Sequence, residues 1–434
     1  MRHRVPLALL LLLTLGAAPG PARKPATTKP TKTAPAHLPS LADAESAWVQ
    51  GRFDPAYDAF SRLYAAQGAT DTVVALRLAS LRLLRDDRKG AREVLDALLA
   101  RRPDSRPARV LLAEAYVREL DFAHAAPLER ALGREAFARQ LESFTATAPP
   151  YRIEGPPATA VRMVQTDPLP LIEARVGGKG PYYFLIDTGG AEVIVDPALV
   201  DSLQFPTFGE EEGTFAGGRR RAYVRTRVSM LALGDFVFSD LPAMSVDLTR
   251  FGAAAGGRRV SGIIGTLLLM RCRATLDYPG SRLVLERHDA PAAAPDSGSI
   301  VVPFWIARDH YLLARGRLGS GREGLWFVDT GLAGAGLTAP AATLAGAGIA
   351  VPDTSAGMSG MGGGGSVKIQ PFPVERFQLG GATGAGLTGV FGAFPPSLER
   401  GFGYPIDGII SHQFFRPYRV TFDFDAMRLR MKKG

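Results

Sequence analysis

The later part of the chain repeats itself at a constant spacing, and this duplication constrains the fold more than any other feature. Met230-Leu231-Ala232-Leu233-Gly234 matches Arg376-Phe377-Gln378-Leu379-Gly380, and Gly262-Ile263-Ile264-Gly265 matches Gly408-Ile409-Ile410-Ser411. Thr275-Leu276-Asp277-Tyr278 matches Thr421-Phe422-Asp423-Phe424, and all three pairs are offset by 146 residues. A fourth pair, Asp187-Thr188-Gly189 and Asp329-Thr330-Gly331, is offset by 142, so four residues are inserted behind the motif in the second copy. Ordered matches at one spacing mean two copies of one fold, over roughly 160–288 and 300–433. Within each copy, short apolar runs recur every 8 to about 12 residues between Gly and Pro, the pattern of an all-β domain. The expected fold is mainly β: two tandem β-barrel lobes, 155–290 and 298–434, forming a pseudo-dimer within one chain.

The first 146 residues differ in character. Arg2 and Arg4, the apolar run Val5 to Leu15 and small residues around Gly16-Ala17-Ala18 read as an export signal over 1–22. The run is too short to span a bilayer, and no other approaches the roughly 18 residues a span requires. A Pro-, Thr- and Lys-rich linker follows over 23–40. Of the net charge of +9, six charges (Arg2, Arg4, Arg23, Lys24, Lys29, Lys32) lie in these first segments, so the remainder carries no nucleic-acid signature. From 41 to 146 the apolar period is helical. Phe53, Ala56 and Phe60 are followed by Arg88, Ala91 and Leu95, then by Phe122, Ala125 and Glu129, at spacings of 35 and 34 residues. With Gly51 and Pro103 at turn positions, this all-α region resembles the tetratricopeptide repeat family. It would serve either as a protein-docking groove or as a helical spacer or lid on the next domain. Cys272 is the single cysteine, so no intramolecular disulfide forms, and its apolar surroundings predict a buried thiol.

Each Asp-Thr-Gly ends an apolar strand: Tyr183-Phe184-Leu185-Ile186 before the first, Leu325-Trp326-Phe327-Val328 before the second. Two carboxylates on equivalent turns suit peptide hydrolysis by an aspartic dyad. Two like charges so close cannot both ionise, so one carboxyl acts as general base on water while the other donates a proton. The plainer alternative is that each Asp caps a turn.

The order of parts in each half is a strand ending in Asp-Thr-Gly, a hairpin with a Gly-rich tip, an Ile-Ile turn and a closing hairpin. It resembles the retropepsin-like aspartic proteases, especially a bacterial group of them, over about 270 residues in both halves. The resemblance implies that Asp187 and Asp329 are the catalytic pair. It implies that Thr188 and Thr330 interlock the two turns, and that Gly189 and Gly331 let the backbone approach the carboxylates. It also makes the glycine-rich stretches flap tips, with Phe215, Ala216 and Gly217 in the first and Gly360, Met361 and Gly362 in the second. Exposed hairpin loops are the alternative. The chain departs from the family at Gly190 and Leu332, where relatives carry Ser or Ala. Without that hydroxyl the dyad is expected to titrate higher. Ser411 in place of Gly points to weaker packing of the second half.

Two Gly-x-Gly-x-x-Gly matches (Gly360 to Gly365, Gly384 to Gly389) lack a strand–turn–helix context. There is no His-Glu-x-x-His and no Gly-x-Ser-x-Gly. The expected activity is therefore that of an endopeptidase needing no cofactor and no metal. It would act as a monomer on extended peptide or protein, without nucleic acid, in the periplasm or outside the cell. The competing reading is a retropepsin-fold peptide-binding protein of little or no activity, with the helical repeats as its interaction surface.

Overall fold

The computed structural model describes residues 38–214, 220–291, 298–355, 357–362 and 365–434. The expected export signal and most of the expected linker lie outside them. The seven helices that open the described chain form where the periodicity places them: α1 (Leu41–Val49), α2 (Phe53–Gln67), α3 (Thr72–Leu84), α4 (Arg88–Arg101), α5 (Arg106–Glu119), α6 (Phe122–Ala131) and α7 (Glu135–Glu142). The residues at the 35- and 34-residue spacing begin α2, α4 and α6. Phe53, Ala56, Phe60, Ala91, Leu95, Phe122, Ala125 and Glu129 are all buried. Short polar side chains start several of these helices by accepting orphan backbone N–H groups: Ser40 from Asp43, Asp71 from Val73 and Val74, Asp87 from Gly90, Asp121 from His124. Gly51 turns the chain between α1 and α2 at φ +63°, a conformation that costs glycine nothing.

The β region makes the whole a mixed α and β protein: a β-barrel carrying an N-terminal helical region. Its first half comprises β1 (Arg152–Glu154), β2 (Ala158–Gln165), β3 (Leu171–Val176), β4 (Lys179–Ile186), β5 (Val193–Val195), β6 (Thr207–Thr214), β7 (Arg220–Leu233), β8 (Phe236–Ser245), β9 (Val260–Ile264), β10 (Arg273–Asp277) and β11 (Arg282–Glu286). Its second half comprises β12 (Ile300–Ala307), β13 (Tyr311–Leu318), β14 (Gly324–Val328), β15 (Leu337–Thr338), β16 (Met358–Gly362), β17 (Gly365–Leu379), β18 (Ala382–Phe391), β19 (Gly408–Ile410), β20 (Tyr418–Asp423) and β21 (Arg428–Lys433).

The pairings repeat strand for strand. The parallel pair β4–β9 has its counterpart in β14–β19, and the parallel pair β5–β8 in β15–β18. The antiparallel pairs β3–β4 and β3–β7 recur as β13–β14 and β13–β17. One sheet then runs across both halves in the order β2–β11–β10–β20–β21–β12. At its centre Thr275 faces Thr421, and their hydroxyls hydrogen-bond at 2.8 Å. These two threonines are 146 residues apart, so the sequence duplication meets itself at the middle of the sheet. Cys272 lies fully buried beside this sheet, and burial pushes its thiol up to about 12.

The helices are built into the β region. One apolar core joins Trp48, Phe53 and Leu78 to Leu313, Leu325, Phe327 and Ile409. Phe53 packs edge-on against Trp305 and Tyr404 at centroid distances of 5.2 and 4.8 Å, each such pair adding about 0.5–1.5 kcal/mol beyond its buried area. At the other end α7 meets β6 and β7. Gln140 donates to the carbonyls of Thr226 (2.5 Å) and Ala243 (2.8 Å), and the backbone N–H of Phe137 donates to Glu211 (3.1 Å). Fully buried Arg118 of α5 donates to the carbonyls of Leu83 (2.8 Å) and Ile306 (3.3 Å) and pairs with Glu114. Among the described residues no helix is long and apolar enough to cross a membrane.

Candidate active site

The two Asp-Thr-Gly turns meet at the junction of the halves. Strand β4 delivers Asp187, and its parallel partner β9 holds the turn, the Asp187 N–H donating to the Ile264 carbonyl at 3.0 Å. Strands β14 and β19 do the same for Asp329, whose N–H donates to the Ile410 carbonyl at 3.0 Å. The Ile-Ile runs of the duplication are therefore the braces behind each acid.

Thr188 and Thr330 cross-link the turns reciprocally. The Thr188 N–H donates to Thr330 Oγ1 at 3.0 Å and the Thr330 N–H to Thr188 Oγ1 at 3.1 Å. Each hydroxyl in turn donates across the junction, Thr188 to the Val328 carbonyl (2.9 Å) and Thr330 to the Ile186 carbonyl (3.0 Å). Both threonines are buried, so a lost partner leaves a desolvated group worth about 1–3 kcal/mol.

The glycines set the approach of the acids. Gly189 N–H donates to Asp187 Oδ1 at 2.8 Å, and Gly331 N–H to Asp329 Oδ1 at 2.7 Å. A Cβ on Gly331 would lie 2.2 Å from Asp187 Oδ1, and one on Gly189 would lie 2.6 Å from the Asp329 carboxyl carbon. Each motif glycine thus faces the acid of the other half. The two carboxyls therefore meet across the junction, and each acts on the other's proton affinity. Burial first, and then the charge of Asp187, pushes Asp329 well above the ordinary carboxylate value. Burial raises Asp187 as well, opposed by the neighbouring Asp329 carboxyl, by the Gly189 N–H and by His310. The pair therefore keeps one proton far above the pH at which a free carboxyl loses it.

The rise anticipated from the missing hydroxyls at 190 and 332 has a different leading cause, burial. The Gly190 N–H donates to the Asp187 carbonyl at 3.2 Å and also acts to lower the Asp187 carboxyl, and a Cβ there would meet only that carbonyl at 3.6 Å. Ser411 corrects a second expectation. It is fully buried, accepts from the Leu332 N–H (3.2 Å) and donates to the Leu332 carbonyl (3.2 Å), so it braces the second turn. The glycine at the equivalent place, Gly265, is obligatory because a Cβ would sit 2.4 Å from the Glu192 carbonyl.

Of the flap residues, Phe215, Ala216 and Gly217 lie outside the described residues. Gly360, Met361 and Gly362 form the outer end of β16, paired with Val367, Ser366 and Gly365 of β17. A Cβ on Gly360 would meet Ile369 at 2.9 Å, and no hydrogen bond among the described residues joins that hairpin to the dyad.

Two histidines went unread in the sequence. His310, at the tip between β12 and β13, donates from Nδ1 to Asp309 (2.6 Å) and lies against Tyr311, whose ring packs on Phe327 two residues before Asp329. Burial would raise Asp309, but the His310 imidazole overrides it and holds that carboxyl well below its usual range. His412 is fully buried, with Nδ1 2.9 Å from the Leu332 carbonyl and Nε2 3.4 Å from Asp167. Neither belongs to a motif that would mark it: Asp309-His310 is an isolated pair, and the partners of His412 lie far away in sequence.

The aspartyl protease family profile matches residues 172–267. This supports a retropepsin-like aspartyl protease domain. The matched stretch runs from β3 to the short helix Thr266–Leu269 and contains Asp187, Thr188 and Gly189. It stops short of Asp329, which joins the site through the cross-junction hydrogen bonds above. No curated protein matches the chain.

Proposed function

We propose that the chain is an aspartic endopeptidase in which Asp187 and Asp329 form the dyad of a single-chain pseudo-dimer of retropepsin-like lobes. The observation that carries this reading is the reciprocal pair of threonine hydrogen bonds, which presents one carboxylate from each half across the motif glycines. A monomer then suffices, since one chain supplies both acids.

In the resting pair one proton is shared. The ionised carboxylate takes a proton from a water molecule as that water attacks the scissile carbonyl carbon. The protonated carboxyl gives its proton to the carbonyl oxygen, forming a gem-diol. As the C–N bond breaks, the first carboxyl protonates the leaving amine and the second carboxylate takes a proton back from a gem-diol hydroxyl, which leaves a carboxylic acid product and returns the pair to its single shared proton. The β6–β7 and β16–β17 hairpins would hold an extended peptide by strand addition. The sequence of residues 1–22 supports export to the periplasm or beyond, and no cofactor enters any step.

Digestion of a peptide library by the wild type, Asp187→Asn and Asp329→Asn tests the assignment. Each variant is expected to lose about 10²–10⁴-fold in rate, the contribution of a positioned acid or base. A wild type that binds peptides yet cuts none from acidic to neutral pH would establish the binding-protein reading instead.

A further inference from the structure

Away from the dyad, a cleft of about 480 Å³ opens where the turn between α3 and α4 faces the ends of both β halves. Its walls carry Arg85, Arg88, Arg271 and His288 with Asp86 and Asp425, over a floor that includes Met270 and Phe424. The charges can be accounted for pair by pair. Arg85 is held by Asp54 at 2.6 Å. Asp86 is shared between Arg88 (3.5 Å) and Arg118 (3.6 Å). His288 meets Asp425 at 2.9 Å through Nδ1 and the Met270 carbonyl at 3.1 Å through Nε2.

Arg271 is left over. Its Nε donates to the Leu267 carbonyl at 3.1 Å and its guanidinium lies over the Tyr151 ring at 5.3 Å, but among the described residues no carboxylate pairs with it. Burial first, and then the positive charge of Arg88, lowers its pKa, opposed by Tyr151 and Asp86. Two guanidinium groups therefore face one cleft with a single, already divided, carboxylate between them. A half-buried guanidinium with unused planar donors is the arrangement that binds carboxylate or phosphate oxygens in pairs.

We propose that this cleft is a binding site for an oxyanion, a phosphate or a carboxylate group, clamped by Arg271 and Arg88 with His288 at the rim. The ligand would bridge the helical region and the β region, since Arg88 belongs to the first and Arg271 to the second. Its binding is separate from peptide cleavage and can be read without any activity.

Calorimetric titration of the full chain with inorganic phosphate, and separately with acetate, at ionic strength held constant with sodium chloride, tests the site. Saturable binding of either anion is expected, with a rise in melting temperature that chloride does not reproduce. Preference for phosphate or for acetate assigns the ligand's charged group. Arg271→Gln should weaken binding by about tenfold or more, as expected for loss of charge-assisted hydrogen bonds. Arg88→Gln, at the start of a surface helix, should weaken it in the same direction and covers the case in which Arg271→Gln does not fold. Absence of saturation at millimolar anion, or equal binding by a folded variant at either arginine, overturns the proposal.

Discussion

At the level of single residues, the site depends on atoms that no other side chain could replace. Gly331→Ala places a methyl carbon against Asp187, so we expect loss of peptide cleavage together with about 1–3 kcal/mol of destabilisation, measurable by urea unfolding. Thr188→Val removes one donor and one acceptor from the junction and should cost about 1–3 kcal/mol. Unchanged stability in that variant would mean the threonine lattice does not hold the turns. Asp187, Asp329, the threonines and the glycines were all legible in the sequence, because a repeated tripeptide at strand ends is a local signal. His310, His412 and the bracing role of Ser411 were not. His310 pairs with its neighbour Asp309 outside any motif, and the partners of His412 and Ser411, Asp167 and Leu332, are brought near only by folding, which leaves no periodicity to read.

A buried acid adds a pH dependence at the same scale. Glu129 sits at the place in α6 that Phe60 and Leu95 hold in α2 and α4, and burial pushes its carboxyl up to about 7 despite Arg134. Its folded value is above its unfolded one, so the native state binds more protons between about 4 and that value. Stability should fall as pH rises through this window, and Asp329, also raised, acts in the same direction. Glu129→Gln is expected to flatten the decline in a series of unfolding measurements across pH. A decline as steep as the wild type's would show that the carboxyl ionises normally.

Among elements, the most consequential contact is between α7 and the β6–β7 hairpin. Gln140 caps two strand carbonyls, while buried Arg225 of β7 pairs with Glu192 at 2.7 Å and Glu211 at 2.9 Å. The hairpin proposed to close over substrate is thus anchored at its base to the last helix. Gln140→Leu removes the side-chain donor from two strand carbonyls, which should cost about 1–3 kcal/mol and speed amide exchange in β6 and β7 before the rest of the barrel. Uniform exchange rates across both halves would contradict a local anchor. The helices themselves were legible from their 35- and 34-residue spacing, as were the closing hairpins. What α7 touches was not, because Gln140 and Thr226 stand 86 residues apart.

For the whole molecule, the duplication predicted the correspondence of strands but not the place of the helices. The sequence left open a docking groove, a spacer or a lid. The shared core of Trp48, Phe53, Leu325 and Phe327 joins residues 38–434 in one compact unit. Each large side chain uncovered there would expose area worth about 1.5–3 kcal/mol. A fragment beginning at residue 147 is therefore expected to be insoluble or molten by near-ultraviolet dichroism, whereas a native-like spectrum would mean the halves fold without the helices. The central claim is that one chain completes the dyad. The initial rate of peptide hydrolysis by Asp187→Asn, by Asp329→Asn and by their equimolar mixture tests it most directly. We predict a wild-type rate proportional to protein concentration and no recovery in the mixture. Recovery of activity on mixing, or wild-type rates in either variant alone, would contradict it.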